Sequence, residues 1–308
     1  KKLSQLYKKD VKTFFANSGA EANEGAIKIA RKYGEVEGKP KRYKIITIEH
    51  SFHGRTISAL KATGQSSMHN YFGPFPDGFA YAPDIESIES MLDDHTIAVM
   101  LEVVQGEGGV EAFDKKKLQD LAKLLKSKDI LLIVDEVQTG VYRTGSFTAS
   151  QEYGLTPDII TLAKGLGGGV PIGAIMTDLD VLHAGDHGST FGGNYLVTAA
   201  ALEVLDILQK HEESGELKKQ TDYFSAKVAS LIETFPKLFT KGVGIGMIRG
   251  LRLQEGVALS DIISKAHDKG VLVLKAGRNT LRFLPPLTIT TLEIDEGFKR
   301  LEDALRTF

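Results

Sequence analysis

A lysine at the end of a short apolar run is the residue on which a chemistry can be built. Ile159 to Ala163 has the make-up of a buried strand and delivers Lys164 into Gly165-Leu166-Gly167-Gly168-Gly169, where glycines end the strand and let other groups approach the backbone. An amine in that place is expected to be poorly hydrated, and desolvation disfavours its ammonium form. A neutral lysine can add to an aldehyde as a Schiff base. The same residue is equally compatible with a strand cap whose charge points into water, so the chemistry needs further groups. These are a cradle for an anion, an acid to face a ring nitrogen, a flat side chain to lie on a ring, and a cation to clamp a carboxylate. A nucleotide-triphosphate loop is excluded, because here the lysine precedes its glycines.

The required groups recur at the ends of other apolar runs. Thr13-Phe14-Phe15-Ala16 reads as a strand, followed by Asn17-Ser18-Gly19-Ala20 and a helix from about Glu21 to Tyr33 with Ala22, Ala26, Ile29 and Ala30 on one face. Strand, Ser-Gly turn and helix start together offer backbone N–H groups to an anion, although an ordinary N-cap reads the same way. Lys44 to Glu49 leads into His50-Ser51-Phe52-His53-Gly54-Arg55-Thr56. There Phe52 suits a ring face and Arg55 a carboxylate, with packing under a loop and surface pairing as the alternatives. Thr96 to Val104 ends in Gln105-Gly106-Glu107-Gly108-Gly109, which brings the Glu107 carboxylate to a strand's end. Ile130 to Val134 runs straight into Asp135 and Glu136. A buried acid there costs free energy without a partner. For Asp135 that partner is either a protonated pyridine nitrogen or a protein group such as Arg143. Val137, two residues on, projects to the same side and suits a ring face.

Stepping these groups onto elements gives strands alternating with helices and functional residues at strand C-termini. That pattern is an α/β fold with a mostly parallel sheet and a site along one edge. Ile172 to Thr177 adds a strand, the polar run Gly185 to Asn194 precedes a helix from Tyr195 to Lys210, and Asn70 to Pro83 reads as a long ordered loop. From about His211 a smaller α+β region follows, with a helix from Leu217 to Phe235, strands at Ile248–Leu253 and Val271–Leu274, Arg282 on a strand stopped by Pro285 and Pro286, and a closing helix from Asp295 to Thr307. Residues 1–210 and 211–308 are the expected domains.

Composition bounds the partners. The balance of 38 basic and 40 acidic residues carries no electrostatic footprint for nucleic acid or an anionic membrane, so small metabolites are expected. The absence of cysteine excludes disulfides and thiolate metal sites, and the histidines show no metal spacing. No apolar run has the length of a membrane span, and cytoplasm is the default compartment. Leu3 to Lys8 reads as the tail of a helix whose beginning lies outside the chain.

In this order the segments NSGAEANEGAIKIARK, HSFHGRT, QGEGGV, DEVQTGVYRTG, PDIITLAKGLGGGVPIGA, GDHGSTFGGN and LRFLPPL resemble the class III (subgroup II) pyridoxal-phosphate aminotransferases of fold type I, over nearly the whole chain. The resemblance implies a large cofactor-binding domain and a smaller C-terminal α+β domain. It implies that Lys164 carries pyridoxal 5′-phosphate and serves as the base, with Asp135 on the pyridine nitrogen. Gly19 and Ala20 would hold the phosphate, Phe52 and Val137 would sandwich the ring, and Gln138 would sit near its phenolic oxygen. Thr190, with Ser189, would reach the phosphate and substrate region of a second subunit, so a homodimer with shared sites is implied. Arg55 would take the substrate α-carboxylate, while Glu107 would cover Arg282 and release it for 2-oxoglutarate. The nearest branch implies transfer of the terminal amine of N2-acetyl-L-ornithine to 2-oxoglutarate, giving glutamate, as in arginine biosynthesis, with succinyl-diaminopimelate as a second donor. Ornithine, succinylornithine and 4-aminobutyrate are the alternative donors, and a non-catalytic cofactor-binding protein or a lyase of the same fold is the alternative class. The family carries a longer N-terminal segment, so this chain is expected to bind cofactor yet turn over slowly. The joins near Leu179 to Asp186 and Leu251 to Val257 are shorter than the family pattern.

Overall fold

Unbroken apolar runs have no polar face to show to water and must be covered on both sides. The computed structural model, which describes residues 1–36 and 39–308, puts them at the centre of one sheet. Its strands are β1 (Lys12–Ala16), β2 (Lys44–Ile48), β3 (Phe79–Ala82), β4 (Thr96–Leu101), β5 (Leu131–Asp135), β6 (Ile159–Leu162) and β7 (Gly173–Thr177). They pair in the order β3-β2-β4-β5-β6-β7-β1. Pairing is parallel from β3 to β6, and β7 is antiparallel to both β6 and β1. β1 therefore runs with the parallel set, and every strand but β7 delivers its carboxyl end to the same edge.

Helix α1 (Gly19–Tyr33) packs Ala22, Ala26, Ile29 and Ala30 into a core shared with Ile45, Ile97, Met100, Ile133 and Ile159. Small side chains on that stripe bring the helix close to the sheet. The helix starts two residues before the expected Glu21, because the Ser18 hydroxyl accepts the N–H of Glu21 and fixes the first turn. Helix α2 (Lys115–Ser127) is capped in the same way by Asp114 and buries Leu118, Leu121 and Leu125. The loop expected from Asn70 to Pro83 contains β3, a four-residue edge strand parallel to β2. Its length and the prolines before it hide it from a reading by pattern.

The chain divides into two compact units, one made of Lys1–Val103, Phe113–Val141 and Ser146–Asp206, the other of Val104–Ala112, Tyr142–Gly145 and Ile207–Phe308. The seven-stranded sheet belongs to the first. The second contains α3 (Glu216–Thr234), β8 (Phe239–Ile245), β9 (Ile248–Leu253), α4 (Leu259–Asp268), β10 (Leu274–Ala276), β11 (Thr280–Phe283) and α5 (Thr291–Leu305). Its four strands are antiparallel in the order β8-β9-β11-β10. Phe224, Phe283 and Phe298 pack their rings together in its core. The strand expected at Val271–Leu274 begins only at Leu274, since Val271 still bonds back to Ala266 and closes α4. Helix α5 begins four residues earlier than expected because Thr290 and Glu293 form a capping box. Each short join is a tight turn: Leu179 N–H donates to the Thr177 hydroxyl and Asp186 N–H to His183, while Val257 N–H donates to Gln254. Among the described residues no helix is long and apolar enough to cross a membrane.

Candidate active site

The carboxyl edge of the seven-stranded sheet opens into a cleft of about 580 Å³. Gly19 and Ala20 enter it after β1, Phe52 and Arg55 after β2, Asp135, Val137 and Gln138 from the end of β5, and Lys164 after β6. Eight residues singled out in separate segments thus share one wall system.

Asp135 is the buried centre of that wall, 3 % exposed. Its Oδ2 accepts from Asn23 Nδ2 at 2.7 Å and from His53 Nδ1 at 2.8 Å, and its Oδ1 accepts from the Val137 N–H at 3.0 Å. The Thr161 hydroxyl, 3.5 Å from Oδ1, directs its proton to Asn23 Oδ1 at 2.7 Å instead. The Nε2 of His53 is buried without a partner. A second N–H on the ring would be stranded there, so the tautomer with its proton on Nδ1, directed at Asp135, is the one that fits. Arg143, the other partner considered for this acid, directs Nη1 to the carbonyls of Met247 and Pro285 within the second unit. Burial pulls its pKa down to about 10.

Glu136 turns the other way. It is fully buried and accepts from the Thr139 hydroxyl, the Ala149 N–H, and both the N–H and hydroxyl of Ser150. Burial raises its pKa, and the hydrogen bonds from Thr139 and Ser150 oppose that rise.

The start of α1 forms the anion cup. Ala22 N–H is the first to bond within the helix, to Ser18, and Glu21 N–H is taken by the Ser18 hydroxyl, so the N–H groups of Gly19 and Ala20 precede the helical ladder. A Cβ on Gly19 would lie 2.6 Å from Val137 Cγ1, which only glycine avoids. Gly54, at φ +140°, likewise makes room for Ala20. Phe52 is held through its N–H by Glu102 at 3.0 Å, and the exposed Arg55 guanidinium lies 5.8 Å from the Phe52 ring centre. The Nε2 of Gln138, also on the cleft, is buried without a protein partner.

Lys164 corrects one expectation. It is exposed in this chain, not poorly hydrated, because it stands on a single 3₁₀ turn beside the equally exposed Gly165. Its φ of 42° is left-handed, a conformation that costs an L-residue about 1–2 kcal/mol and is found at functional turns.

Four expected residues lie outside the lining of this cleft. Ser189 is close to its rim, since its hydroxyl accepts from the Asn17 side chain at 3.1 Å and the Gly192 N–H at 3.0 Å. Thr190 is exposed. Glu107 and Arg282 belong to the second unit, where Arg282 Nη1 donates to Glu107 Oε1 at 2.7 Å and to the Gly106 carbonyl at 3.0 Å. Reading by motif missed Asn23, His53, Thr161 and Glu102 as parts of the site. Each did carry a signal, being a polar residue inside an apolar run or beside an assigned one.

These residues fit pyridoxal phosphate: two N–H groups at a helix start for its phosphate, a buried anion for its ring nitrogen, Phe52 and Val137 for its faces, a buried donor on Gln138 and a lysine amine. Residues 1–305 match the model of the family Aminotransferase class-III. Acetylornithine aminotransferase of Wolinella succinogenes is 58 % identical over 307 residues, 99 % of this chain and 78 % of that protein. The enzyme of the same name from Caldanaerobacter subterraneus is 48 % identical over 298 residues, 96 % of this chain and 75 % of that protein. Among solved structures, N-acetylornithine aminotransferase from Stenotrophomonas maltophilia superposes with a TM-score of 0.83 at 36 % identity, covering 99 % of this chain and 78 % of that one. Ornithine aminotransferase from Toxoplasma gondii, a structure described as holding pyridoxal phosphate at partial occupancy, gives 0.91 at 34 % identity, covering 99 % and 74 %. With this cleft and these likenesses together, the chain belongs to the class III aminotransferases.

Proposed function

We propose that the protein transfers the terminal amino group of N2-acetyl-L-ornithine to 2-oxoglutarate, using pyridoxal 5′-phosphate. The gathering of Lys164, the Asp135 network and the α1 cup in one cleft supports the chemistry, and the names of the similar proteins support the donor. When bound, the cofactor supplies an aldehyde that takes up an amine and a ring that withdraws electrons. Gly19 and Ala20 hold its phosphate through their N–H groups, at the positive end of α1. Asp135, fixed in place by its three donors, would face the pyridine nitrogen and hold a proton on it. Phe52 and Val137 orient the ring from its two faces, and Gln138 donates to its phenolic oxygen. Lys164 Nζ would take up the proton from the amine-bearing carbon of the substrate and release it again. Arg55 takes the α-carboxylate, and within the second unit Arg282, covered by Glu107, is a guanidinium suited to a carboxylate once Glu107 releases it. We assign the cofactor-binding domain to about residues 1–210 and the smaller domain to 211–308.

The protein works as a homodimer on this reading, with Thr190 and Ser189 serving the partner's site. Phe191, Tyr195 and Leu196 follow directly and are 70 %, 95 % and 75 % exposed, an apolar surface that a second copy would cover.

The test is a single turnover of the cofactor-loaded protein. Acetylornithine alone is expected to give one equivalent of its aldehyde product per site, and 2-oxoglutarate added afterwards one equivalent of glutamate. A burst from ornithine but not from acetylornithine would replace the donor, a reading favoured by the fold likeness to ornithine aminotransferase. Failure to retain pyridoxal phosphate at Lys164 would overturn the whole proposal.

A further inference from the structure

Asn23 is 1 % exposed, and every hydrogen-bonding atom of its amide is engaged. One Nδ2 proton goes to Asp135 Oδ2 at 2.7 Å and the other to the His53 carbonyl at 2.6 Å, while Oδ1 accepts the Thr161 hydroxyl at 2.7 Å. The amide cannot turn over, because reversal would set its oxygen against two acceptors and its NH₂ against a donor. One side chain on α1 thereby ties the end of β5, the middle of β6 and the turn after β2.

We infer that Asn23 is a positioning residue that sets the Asp135 carboxylate against the anion cup, so that one helix fixes both ends of the cofactor site. Gly19 and Asn23 are four residues apart on α1 and lie one above the other, separated by about 6 Å of helix rise. The cup grips one end of the cofactor from the first turn. The next turn holds the carboxylate that meets the other end. A neutral donor is needed for the second task. A carboxylate in place of the amide would face Asp135 across the same short contact, and two acids that close share one proton. Asp135 would then no longer offer a full charge to a ring nitrogen. This inference rests on the cofactor site proposed above.

The test compares cofactor-loaded wild type with Asn23→Asp, Thr161→Val and the exchange Asn23→Asp with Asp135→Asn, by equilibrium dialysis of pyridoxal phosphate across pH and by steady-state kinetics. Asn23→Asp is expected to weaken cofactor affinity about tenfold to a hundredfold, the loss of one charge-assisted hydrogen bond. It is also expected to make cofactor affinity change with pH over a range in which the affinity of wild type does not, as the proton shared by the two acids is lost. The exchange variant restores one acid and one amide, so its melting temperature should recover towards wild type while kcat does not. Thr161→Val, which leaves the Asn23 oxygen without its donor, should weaken affinity severalfold with KM nearly unchanged. Wild-type affinity and no added pH dependence in a folded Asn23→Asp would overturn the inference. If that variant does not fold, an unchanged affinity in Thr161→Val overturns it. Reductive trapping of pyridoxal phosphate on Lys164 in wild type separates the cases, since its absence would sink the cofactor site itself and its presence leaves only the role of Asn23 in question.

Discussion

Asp135 and Glu136 are neighbours at the end of one apolar strand, both are buried acids, and they serve two different regions. Glu136 faces a short local loop whose Thr139, Ala149 and Ser150 supply four donors, so all its acceptor capacity is used within the fold. Asp135 faces the cleft and draws its donors from α1, from the turn after β2 and from its own chain two residues on. Its Oδ1 has one close donor, the Val137 N–H at 3.0 Å, and so keeps acceptor capacity. A saturated carboxylate closes a structure, whereas one held firmly yet left partly unsaturated can act on a ligand. Glu107 in the second unit is a third kind, one-third exposed and paired with Arg282, which also holds the Gly106 carbonyl. Letting go of Glu107 leaves that guanidinium partly anchored, which suits a pair meant to separate.

The sharpest contrast comes from removing groups on the cleft side. Lys164→Ala should abolish cofactor retention through this residue and lower amine transfer by about 10⁴-fold or more, since both the nucleophile and the base are lost. The melting temperature should hardly fall, because Lys164 is exposed and strained. Asp135→Asn keeps the shape and deletes the charge. A fall in kcat of about 10²–10³-fold is expected, as for other lost electrostatic stabilisers. If kcat held while stability dropped, Asp135 would belong with Glu136 among the structural acids.

Much of this site could be read before the fold was known, and the reason is physical. An apolar strand that ends on Lys164, Asp135 or the Gly19 turn breaks the pattern its own burial demands, so the break is visible in one dimension. Asn23 and Thr161 break patterns too, but their meaning is a contact between elements far apart in the chain, and that appears only when α1 lies across β5 and β6. The reversal of β7 was not legible either, because an apolar run of GAIMT carries no direction. β3 was lost behind prolines, and the start of α5 behind a capping box that apolar periodicity does not see. The exposure of Lys164 contradicts the expected desolvation for a related reason: what covers a strand end is decided by everything around it, not by the strand.

A smaller effect is expected where a charge is meant to move. Arg282→Lys loses the planar fork that can hold a carboxylate while keeping the Gly106 carbonyl. KM for 2-oxoglutarate should rise about tenfold, the value of one charge-assisted bond, with the acetylornithine half-reaction nearly unchanged. Equal losses in both half-reactions would mean that Arg282 holds the second unit together and does not discriminate between substrates.

The least effect on catalysis, and the best check of the contrast between the two neighbouring acids, belongs to Glu136→Gln. Transfer activity should stay within about twofold, while folding stability drops by roughly 1–3 kcal/mol because the amide brings two hydrogens among four donors, whereas the carboxyl brings at most one. The pH dependence distinguishes the charge from the shape. Burial raises the Glu136 pKa above its ordinary 4.5, so the folded protein holds this proton more tightly than the unfolded chain. That stabilisation is fully present below pH 4.5 and is lost as pH rises through the folded pKa. Glutamine does not titrate. In denaturant unfolding across pH, the stability advantage of wild type over Glu136→Gln should therefore be largest at acid pH and narrow upward from 4.5. An advantage that widens with rising pH would mean that the four donors outweigh burial, and that Glu136 is held as an anion.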